Sequence, residues 1–223
     1  MIELKNINKI YTLGKNNQVV ALKNINLKIE KGKLVVLRGS SGSGKSTILS
    51  LISALHKPTS GEVVVDGKKI SKLPDDFASM YRRNNIGIVF QKYNLIPSLS
   101  VKENILLPLV PLNLDKKIVE EKLQKVMEQF QIIHKQDMIV KNLSGGEQQR
   151  VAIARANVNN PKIIIADEPT ANLDKKLSLD FINILKEMKQ DDKTIIVATH
   201  DPLFFDLDFV DDEIVMRDGE IVL

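Results

Sequence analysis

The stretch LVVLRGSSGSGKS, residues 34–46, joins a short run of branched apolar residues to a glycine-rich turn. The run Leu34–Leu37 has the length and composition of a buried β-strand. The turn Gly39–Ser46 matches the pattern G-x-x-x-x-G-K-S/T, whose glycines let successive backbone N–H groups face one anion. In this pattern Lys45 reaches the outer phosphates of a nucleotide and the Ser46 hydroxyl binds Mg²⁺. The stretch therefore predicts a nucleotide-binding phosphate loop.

An acidic partner for this loop occurs far along the chain. The apolar run Ile163–Ala166 predicts a strand, and it ends in Asp167, followed by Glu168. A carboxylate at the end of such a strand lies beside the phosphate loop, where it holds Mg²⁺ directly or through water. Glu168 comes one residue later and faces another direction, which favours a general base or a water-positioning group. Apolar residues after the loop predict a helix with one buried side: Ile48, Leu49, Ile52 and Leu55.

Strand-like runs alternate with longer helical segments along the whole chain. The continuous apolar runs at residues 34–37, 86–90, 163–166 and 195–198 are typical of strands buried on both faces of a parallel sheet. Ile25, Leu27 and Ile29 alternate with polar residues, as in a half-buried strand. Two Asp-Gly pairs, Asp66-Gly67 and Asp218-Gly219, predict hairpins. We expect a mainly parallel α/β core with antiparallel strands added.

The middle of the chain has a different pattern. Apolar residues recur at close to helical spacing over residues 116–133. Residues 92–160 therefore look like a helical insertion between core strands. No internal repeat, low-complexity tract or Gly/Ser linker indicates a second independent domain. We expect a single domain over residues 1–223, with a core of about 1–91 and 161–223.

Composition excludes several classes of protein. The chain has 223 residues, 43% of them hydrophobic and 27% charged, as in an ordinary globular protein. The net charge of +4 is too small to indicate a nucleic-acid partner. With no cysteine, a disulfide framework, a cysteine zinc site and a catalytic thiol are all excluded. We expect no signal peptide and no membrane-spanning segment, so that any spanning part belongs to a partner.

A second anion site is predicted by LSGGEQQR, residues 143–150. Ser144 and Glu147 have the spacing of a capping box and open a helix that we expect to run toward Asn160 and stop at Pro161. Gly145 and Gly146 leave the N–H groups at the helix start uncovered. One nucleotide needs only one phosphate loop. A second site of this kind indicates that it serves ATP held by another subunit.

With this motif the sequence resembles, over essentially its whole length, the ATP-binding subunit of an ABC transporter. The resemblance implies the P-loop NTPase fold of ABC ATPases: a RecA-like core, an antiparallel β subdomain and an inserted α-helical subdomain. It also implies ATP and Mg²⁺ as cofactors and hydrolysis of ATP. Asn157 departs from the pattern, because relatives usually carry an apolar residue there.

The resemblance assigns roles to single residues. Tyr11 corresponds to an aromatic residue that stacks on adenine, and Gln91 to a glutamine that contacts Mg²⁺ and the attacking water. Asp174, in a loop at the dimer contact, and His200, near the γ-phosphate, also match. The implied catalytic residues are Lys45, Gln91, Glu168 and His200; the nucleotide-binding residues are Tyr11, Gly39, Ser40, Ser41, Gly42, Ser43, Gly44, Lys45, Ser46, Thr47, Ser144, Gly145, Gly146, Glu147 and Asp174; the metal-binding residues are Ser46, Gln91 and Asp167.

Partners and location follow from the same resemblance. It implies a homodimer that sandwiches ATP head to tail, bound to a separate integral-membrane permease at the cytoplasmic face of the membrane. The apolar segment at residues 92–111 either receives this permease or packs within the helical insertion, and the sequence leaves both open.

YNLIP at residues 93–97 and ADEPTANLD at residues 166–174 resemble the ATPases of macrolide export, lipoprotein release and antimicrobial-peptide resistance. This subgroup implies an exporter or a machine that transmits force, with an extracytoplasmic adaptor reached through the permease. Two alternatives stay open: the ATPase of a solute importer, and a non-transport ABC ATPase acting in cell division or iron–sulfur assembly.

Overall fold

The structure is a computed structural model that describes residues 1–14 and 17–222. Within these ranges the chain forms two β-sheets and six α-helices. The strands are β1 (Ile2–Leu13), β2 (Asn17–Ile29), β3 (Leu34–Arg38), β4 (Ser60–Val65), β5 (Lys68–Lys69), β6 (Ile86–Val89), β7 (Ile163–Asp167), β8 (Thr194–Thr199), β9 (Asp212–Arg217) and β10 (Glu220–Val222). The helices are α1 (Lys45–Ile52), α2 (Asp75–Asn85), α3 (Val101–Leu106), α4 (Lys116–Gln129), α5 (Gly145–Asn157) and α6 (Lys175–Gln190).

The larger sheet has six strands in the order β10-β9-β3-β8-β7-β6. All neighbours are parallel except β10, which pairs antiparallel with β9. Every residue of β8 is buried, and β3 and β7 are buried except at their last residues, which confirms the prediction from their continuous apolar runs. Because parallel strands end at the same edge, the residues that follow β3, β7 and β8 meet there.

The smaller sheet is antiparallel, in the order β2-β1-β4-β5. The predicted Asp-Gly hairpins are both present, one joining β4 to β5 and the other joining β9 to β10. Asp66 and Gly67 have φ of 48° and 75°, and Asp218 and Gly219 have φ of 49° and 82°. Positive φ at both central residues defines the turn that matches the twist of the flanking strands.

Apolar side chains form two cores, one on each face of the larger sheet. One core packs α1 between this sheet and the antiparallel sheet, and includes Ile48, Ile165 and Ile196. The other packs the helices α3 to α6 against the opposite face, with Phe181 and Phe204 among its largest buried side chains. The sheet edge that carries the predicted site is therefore held from both sides.

Two helices end earlier than the sequence predicts. The helix after the phosphate loop stops at Ile52, and Leu55 lies beyond it with 47% of its surface exposed. The helix after Ser144 stops at Asn157 instead of reaching Asn160. In both places a residue with left-handed backbone follows, Ala54 with φ of 51° and Asn160 with φ of 49°, and such a residue cannot continue a right-handed helix.

The inserted segment contains α3, α4 and α5, and α3 and α4 both pack against α5. The helix predicted over residues 116–133 is present as α4, but it ends at Gln129, two residues before Gln131 adopts a positive φ of 55°. The division into a core and an insertion at about residue 92 and residue 160 stays a prediction. In residues 1–14 and 17–222, no helix combines the length and apolarity that crossing a membrane requires.

Candidate active site

The phosphate loop lies between the end of β3 and the start of α1. Gly44 precedes α1 with φ of 105°, and a Cβ built on it lies 2.8 Å from the carbonyl oxygen of Ala21. Only glycine fits this position without strain. The first turn of α1, which begins at Lys45, contains no acidic residue. The helix therefore places no carboxylate of its own at its positive end, which suits an anion site.

The Lys45 side chain is buried, with 5% of its surface exposed. Its ammonium donates to the carbonyl oxygens of Gly39 at 2.7 Å and Ser40 at 3.1 Å. The Glu168 carboxylate lies 3.3 Å from the same nitrogen. A buried cation requires such partners. This arrangement holds the charge of Lys45 inside the loop, where it suits a phosphate.

Glu168 follows β7 with a positive φ of 45°. One of its oxygens lies 3.0 Å from Nδ1 of His200 and accepts a hydrogen bond from the His200 backbone N–H at 3.3 Å. Burial alone raises the pKa of Glu168, but the hydrogen bonds from His200 and the charge of Lys45 outweigh it and lower the pKa. The carboxylate is therefore ionised at neutral pH, the state that a general base requires.

Asp167 and Ser46 form the second polar pair of the site. The Ser46 hydroxyl donates to Asp167 Oδ1 at 2.9 Å. Burial, with a contribution from the charge of Glu168, raises the pKa of Asp167 despite the hydrogen bond from Ser46. A hydroxyl and a carboxylate are the hard oxygen ligands that Mg²⁺ prefers. The described residues contain no cluster of three His, Cys, Asp or Glu side chains that could hold a metal ion alone.

A cavity of about 400 Å³ brings many of the predicted residues together. It is lined by the loop from Ser41 to Thr47 and by Gln91, Glu168 and His200. Gln91 follows β6, and its backbone carbonyl accepts a hydrogen bond from the Asn172 side chain at 3.0 Å. Val19, Val20 and Ala21 of β2 form a wall of the cavity that no motif in the sequence predicted.

Tyr11 lies outside the residues that line this cavity. It belongs to β1, pairs with Val19 across the antiparallel sheet, and its hydroxyl lies 3.3 Å from Nδ1 of His56. The Lys9 ammonium stands 4.7 Å from the centre of its ring. His56 therefore contacts the aromatic residue at this position. The role of Tyr11 toward adenine stays a prediction.

The predicted second anion site forms a helix start with a complete capping box. Glu147 accepts from the backbone and the hydroxyl of Ser144, and the Glu147 N–H returns a bond to that hydroxyl. Gly146 packs so closely on α6 that a Cβ would lie 2.6 Å from Leu177. Asp174 caps α6 by accepting from the N–H of Leu177 at 2.9 Å. None of these residues lines the cavity over the phosphate loop.

Comparison with known proteins gives the family. The family model described as "ABC transporter" matches residues 22–171, more than half of the chain. The chain belongs to the ABC transporter family. The uncharacterised ABC transporter ATP-binding protein MJ0796 of Methanocaldococcus jannaschii is 44% identical to it over 226 residues, covering 99% of this chain and 95% of the relative. This agreement over the full length confirms the resemblance that the sequence motifs carry.

Two further relatives have names that state an export function. The bacitracin export ATP-binding protein BceA of Halalkalibacterium halodurans is 37% identical, over 99% of this chain and 87% of its own length. The macrolide export ATP-binding/permease protein MacB of Campylobacter jejuni is 43% identical over 91% of this chain, which spans 31% of that longer protein. Both belong to the subgroup expected from YNLIP and ADEPTANLD.

Solved structures confirm the fold of the ABC ATPase. A dimeric, post-hydrolysis structure of MJ0796 bound to ADP and Pi superposes with a TM-score of 0.90 at 41% identity, covering 100% of this chain and 97% of that chain. The predicted ABC ATPase fold, with its mixed sheets and inserted helices, is therefore correct. Family and fold together make the chain an ATP-hydrolysing subunit of an ABC transporter.

Proposed function

We propose that this ABC ATPase works as one half of an ATP-bridged, head-to-tail dimer that drives a separate permease. The observation that carries this proposal is the capped, glycine-rich start of α5, which lies outside the chain's own cavity. Its Ser144 is exposed and its first N–H groups suit an anion. A second copy of the chain supplies the nucleotide that this helix start binds. The related MJ0796 has been solved as a dimer, which supports a second copy of the chain as the partner.

Within one chain, the residues around the cavity have different roles in ATP binding and hydrolysis. The loop N–H groups and Lys45 bind the phosphates, while Ser46, Asp167 and Gln91 hold Mg²⁺. Bound MgATP supplies the phosphoryl group that is transferred to water, with its charge neutralised by the metal and by Lys45. Glu168 accepts the proton of the attacking water, because its lowered pKa keeps it ionised. His200 holds this carboxylate in place and contacts the γ-phosphate, and Tyr11 stacks on the adenine.

The other chain completes each site. Ser144, Gly145 and Gly146 contact the γ-phosphate from the partner, and Glu147 keeps Ser144 in position through the capping box. Asp174 lies in the loop between the two chains. Each ATP is then buried between one phosphate loop and one α5 start, so hydrolysis loosens the dimer and its opening moves the permease.

A mixing experiment tests the composite site. Lys45→Ala removes the phosphate-loop cation and Ser144→Glu places a negative charge at the α5 start, so each variant alone should lose ATPase activity. In a mixed dimer, the intact loop of the second variant faces the intact helix start of the first. We expect the mixture to regain measurable ATPase activity while neither variant alone shows it. A mixture as inactive as its parts would contradict the head-to-tail proposal.

The apolar segment after Gln91 supplies a docking surface for the permease. Ile96 and Val110 are 41% and 71% exposed, whereas Leu109 is buried in the core, so the segment is divided between packing and surface. Near it, Arg83, Phe90, Pro108 and Arg155 line a cleft of about 220 Å³. An apolar segment of a cytoplasmic permease loop fits this exposed surface.

We assign the complex to the export or force-transmitting type. The names of BceA and MacB support this assignment. The cargo classes that it implies are a macrolide, a lipoprotein or an antimicrobial peptide, with an adaptor reached through the permease. In this arrangement the chain lies at the cytoplasmic face of the membrane, bound to its permease.

A further inference from the structure

Gln149 is a buried residue of α5 that the mechanism above does not use. It lies about one turn beyond Ser144, on the helix whose start forms the proposed second anion site. Only 4% of its surface is exposed, and its side-chain amide donates to the carbonyl oxygen of Pro169 at 2.8 Å. Pro169 directly follows Glu168. This one hydrogen bond joins α5 to the turn that carries the carboxylate of the chain's own site.

The turn is held from a second side by a different element. Thr170 donates its hydroxyl hydrogen to Asp201 Oδ2 at 2.7 Å, one residue beyond His200. The turn itself closes through the Ala171 N–H and the Glu168 carbonyl, 3.3 Å apart. Glu168 has a left-handed backbone, which an L-residue keeps only where its surroundings impose it. Gln149 and Thr170 are therefore two independent supports of one strained turn.

Contacts at both ends of α5 make the helix move as one rigid unit. A Cβ built on Gly146 would lie 2.6 Å from a methyl group of Leu177 in α6, and Arg155 at the other end donates to the carbonyl oxygens of Tyr93 and Asn94, both at 2.6 Å. Close-packed elements shift as units and do not deform continuously. A small movement of the helix start toward a nucleotide therefore reaches the Pro169 carbonyl through Gln149.

We propose that Gln149 is a positioning residue that couples the two ATP sites of the dimer, setting Glu168 of one site when α5 of the same chain engages the ATP of the other. This inference rests on the proposed head-to-tail dimer and deepens it. Each chain then aligns its own general base most closely when its α5 start is occupied, so a mixed dimer with one intact site keeps only a fraction of the parent activity. Hydrolysis at the two sites becomes cooperative through a contact inside one chain.

The test compares three substitutions that keep side-chain volume. Gln149→Met removes the amide donor and leaves the Pro169 carbonyl without this partner. Gln148→Met is the matched control on the same helix, since Gln148 makes a similar bond to the Leu143 carbonyl at 3.1 Å that does not reach the turn. Thr170→Val loosens the turn from the side that is not connected to α5. Steady-state ATPase gives kcat, KM and the Hill coefficient, and thermal unfolding reports stability.

We expect Gln149→Met to lower kcat roughly 10-fold and to reduce the Hill coefficient from near the two-site limit to about 1, while ATP-dependent dimer formation is kept. Thr170→Val should lower kcat and keep the Hill coefficient, and Gln148→Met should change neither. To separate these kinetic effects from a loss of fold, dimerisation is measured in the same variants.

Two results would overturn the inference while leaving the proposed function intact. One is an unchanged Hill coefficient in Gln149→Met, and the other is a Hill coefficient that Thr170→Val lowers as much as Gln149→Met does. A parent chain that neither dimerises with ATP nor hydrolyses it cooperatively would contradict the inference and, through the missing dimer, the proposed function as well.

Discussion

Asp167 and Glu168 are neighbours in the chain, yet their pKa values move in opposite directions. Burial raises the pKa of Asp167, since its hydrogen bond from Ser46 does not compensate. At Glu168 the bonds from His200 and the charge of Lys45 outweigh burial and lower the pKa. The two environments give the carboxylates different properties: the charge of Asp167 requires a cation beside it, whereas Glu168 is stable as an ionised base.

The raised pKa of Asp167 predicts that its charge destabilises the free protein. A carboxyl group whose pKa is higher in the folded than in the unfolded state stabilises the fold while it is protonated. This stabilisation is lost as the pH rises through the folded-state pKa. We expect Asp167→Asn, which keeps an oxygen to accept from Ser46, to raise the unfolding midpoint without nucleotide by on the order of 2 °C at pH 7.5. The same variant should lose the additional stabilisation that MgATP gives the parent chain. Thermal unfolding with and without MgATP measures both effects.

Acid provides the control for this prediction. At a pH low enough to protonate Asp167 in both states, parent and variant should differ little in unfolding midpoint, because the charge is then absent from both. If the variant is less stable than the parent at pH 7.5 without nucleotide, the carboxylate stabilises the fold. This would contradict the claim that the buried charge of Asp167 destabilises the free protein.

At the residue scale, the motifs predicted the polar groups of the site but not their surroundings. The spacing of the residues around Lys45, and the position of Asp167 and Glu168 after an apolar run, were enough to predict that these groups belong to the site. The contact between Tyr11 and His56 is formed by residues 45 positions apart, and no local pattern marks it. Ala21 and the valines of β2 were missed for the same reason, since exposed apolar residues of a strand do not show which cavity they face.

Two helices of the inserted segment begin with the same capping motif. Both α3 and α5 begin with a complete capping box, Ser100 with Glu103 and Ser144 with Glu147. The two caps satisfy the same backbone groups, so Ser100→Ala and Ser144→Ala should each lower the free energy of unfolding by about 1 kcal/mol. Only Ser144 lies in the proposed dimer contact. We therefore expect Ser144→Ala alone to weaken ATP-dependent dimerisation beyond its effect on stability, as measured by analytical ultracentrifugation. Equal losses of dimer in both variants would contradict this role.

Elements with a strong apolar pattern were predictable, and those without one were not. The runs that form β3, β7 and β8 are buried along nearly their whole length, so composition alone gave them. Helix α2 was missed because Ala78 is its one buried residue and most of its residues are polar, so no apolar run marks it in the sequence. The early ends of α1 and α5 depend on the left-handed backbone of Ala54 and Asn160, which tertiary packing selects.

At the scale of the whole molecule, the exposed apolar segment predicts a partner. Purification from the native membrane with ATP, in the Glu168→Gln variant, should recover a permease of four transmembrane helices with a large extracytoplasmic domain. Adding Ile96→Asp to this variant should reduce the recovery of the permease. In a chain that keeps Glu168, Ile96→Asp should leave the basal ATPase activity unchanged. A permease with more spans and a solute-binding protein would instead indicate an importer. Recovery of soluble partners alone would favour the non-transport alternative.

The central claim is that ATP joins two copies of this chain through Lys45 of one and Ser144 of the other. The most direct measurement is the mass in solution of the Glu168→Gln variant, which should bind ATP and hydrolyse it very slowly. We predict a monomer without nucleotide, a dimer with ATP, and a monomer again with ADP. A variant that binds ATP and stays monomeric at every nucleotide concentration, or one that turns over ATP at the parent rate, would contradict the account.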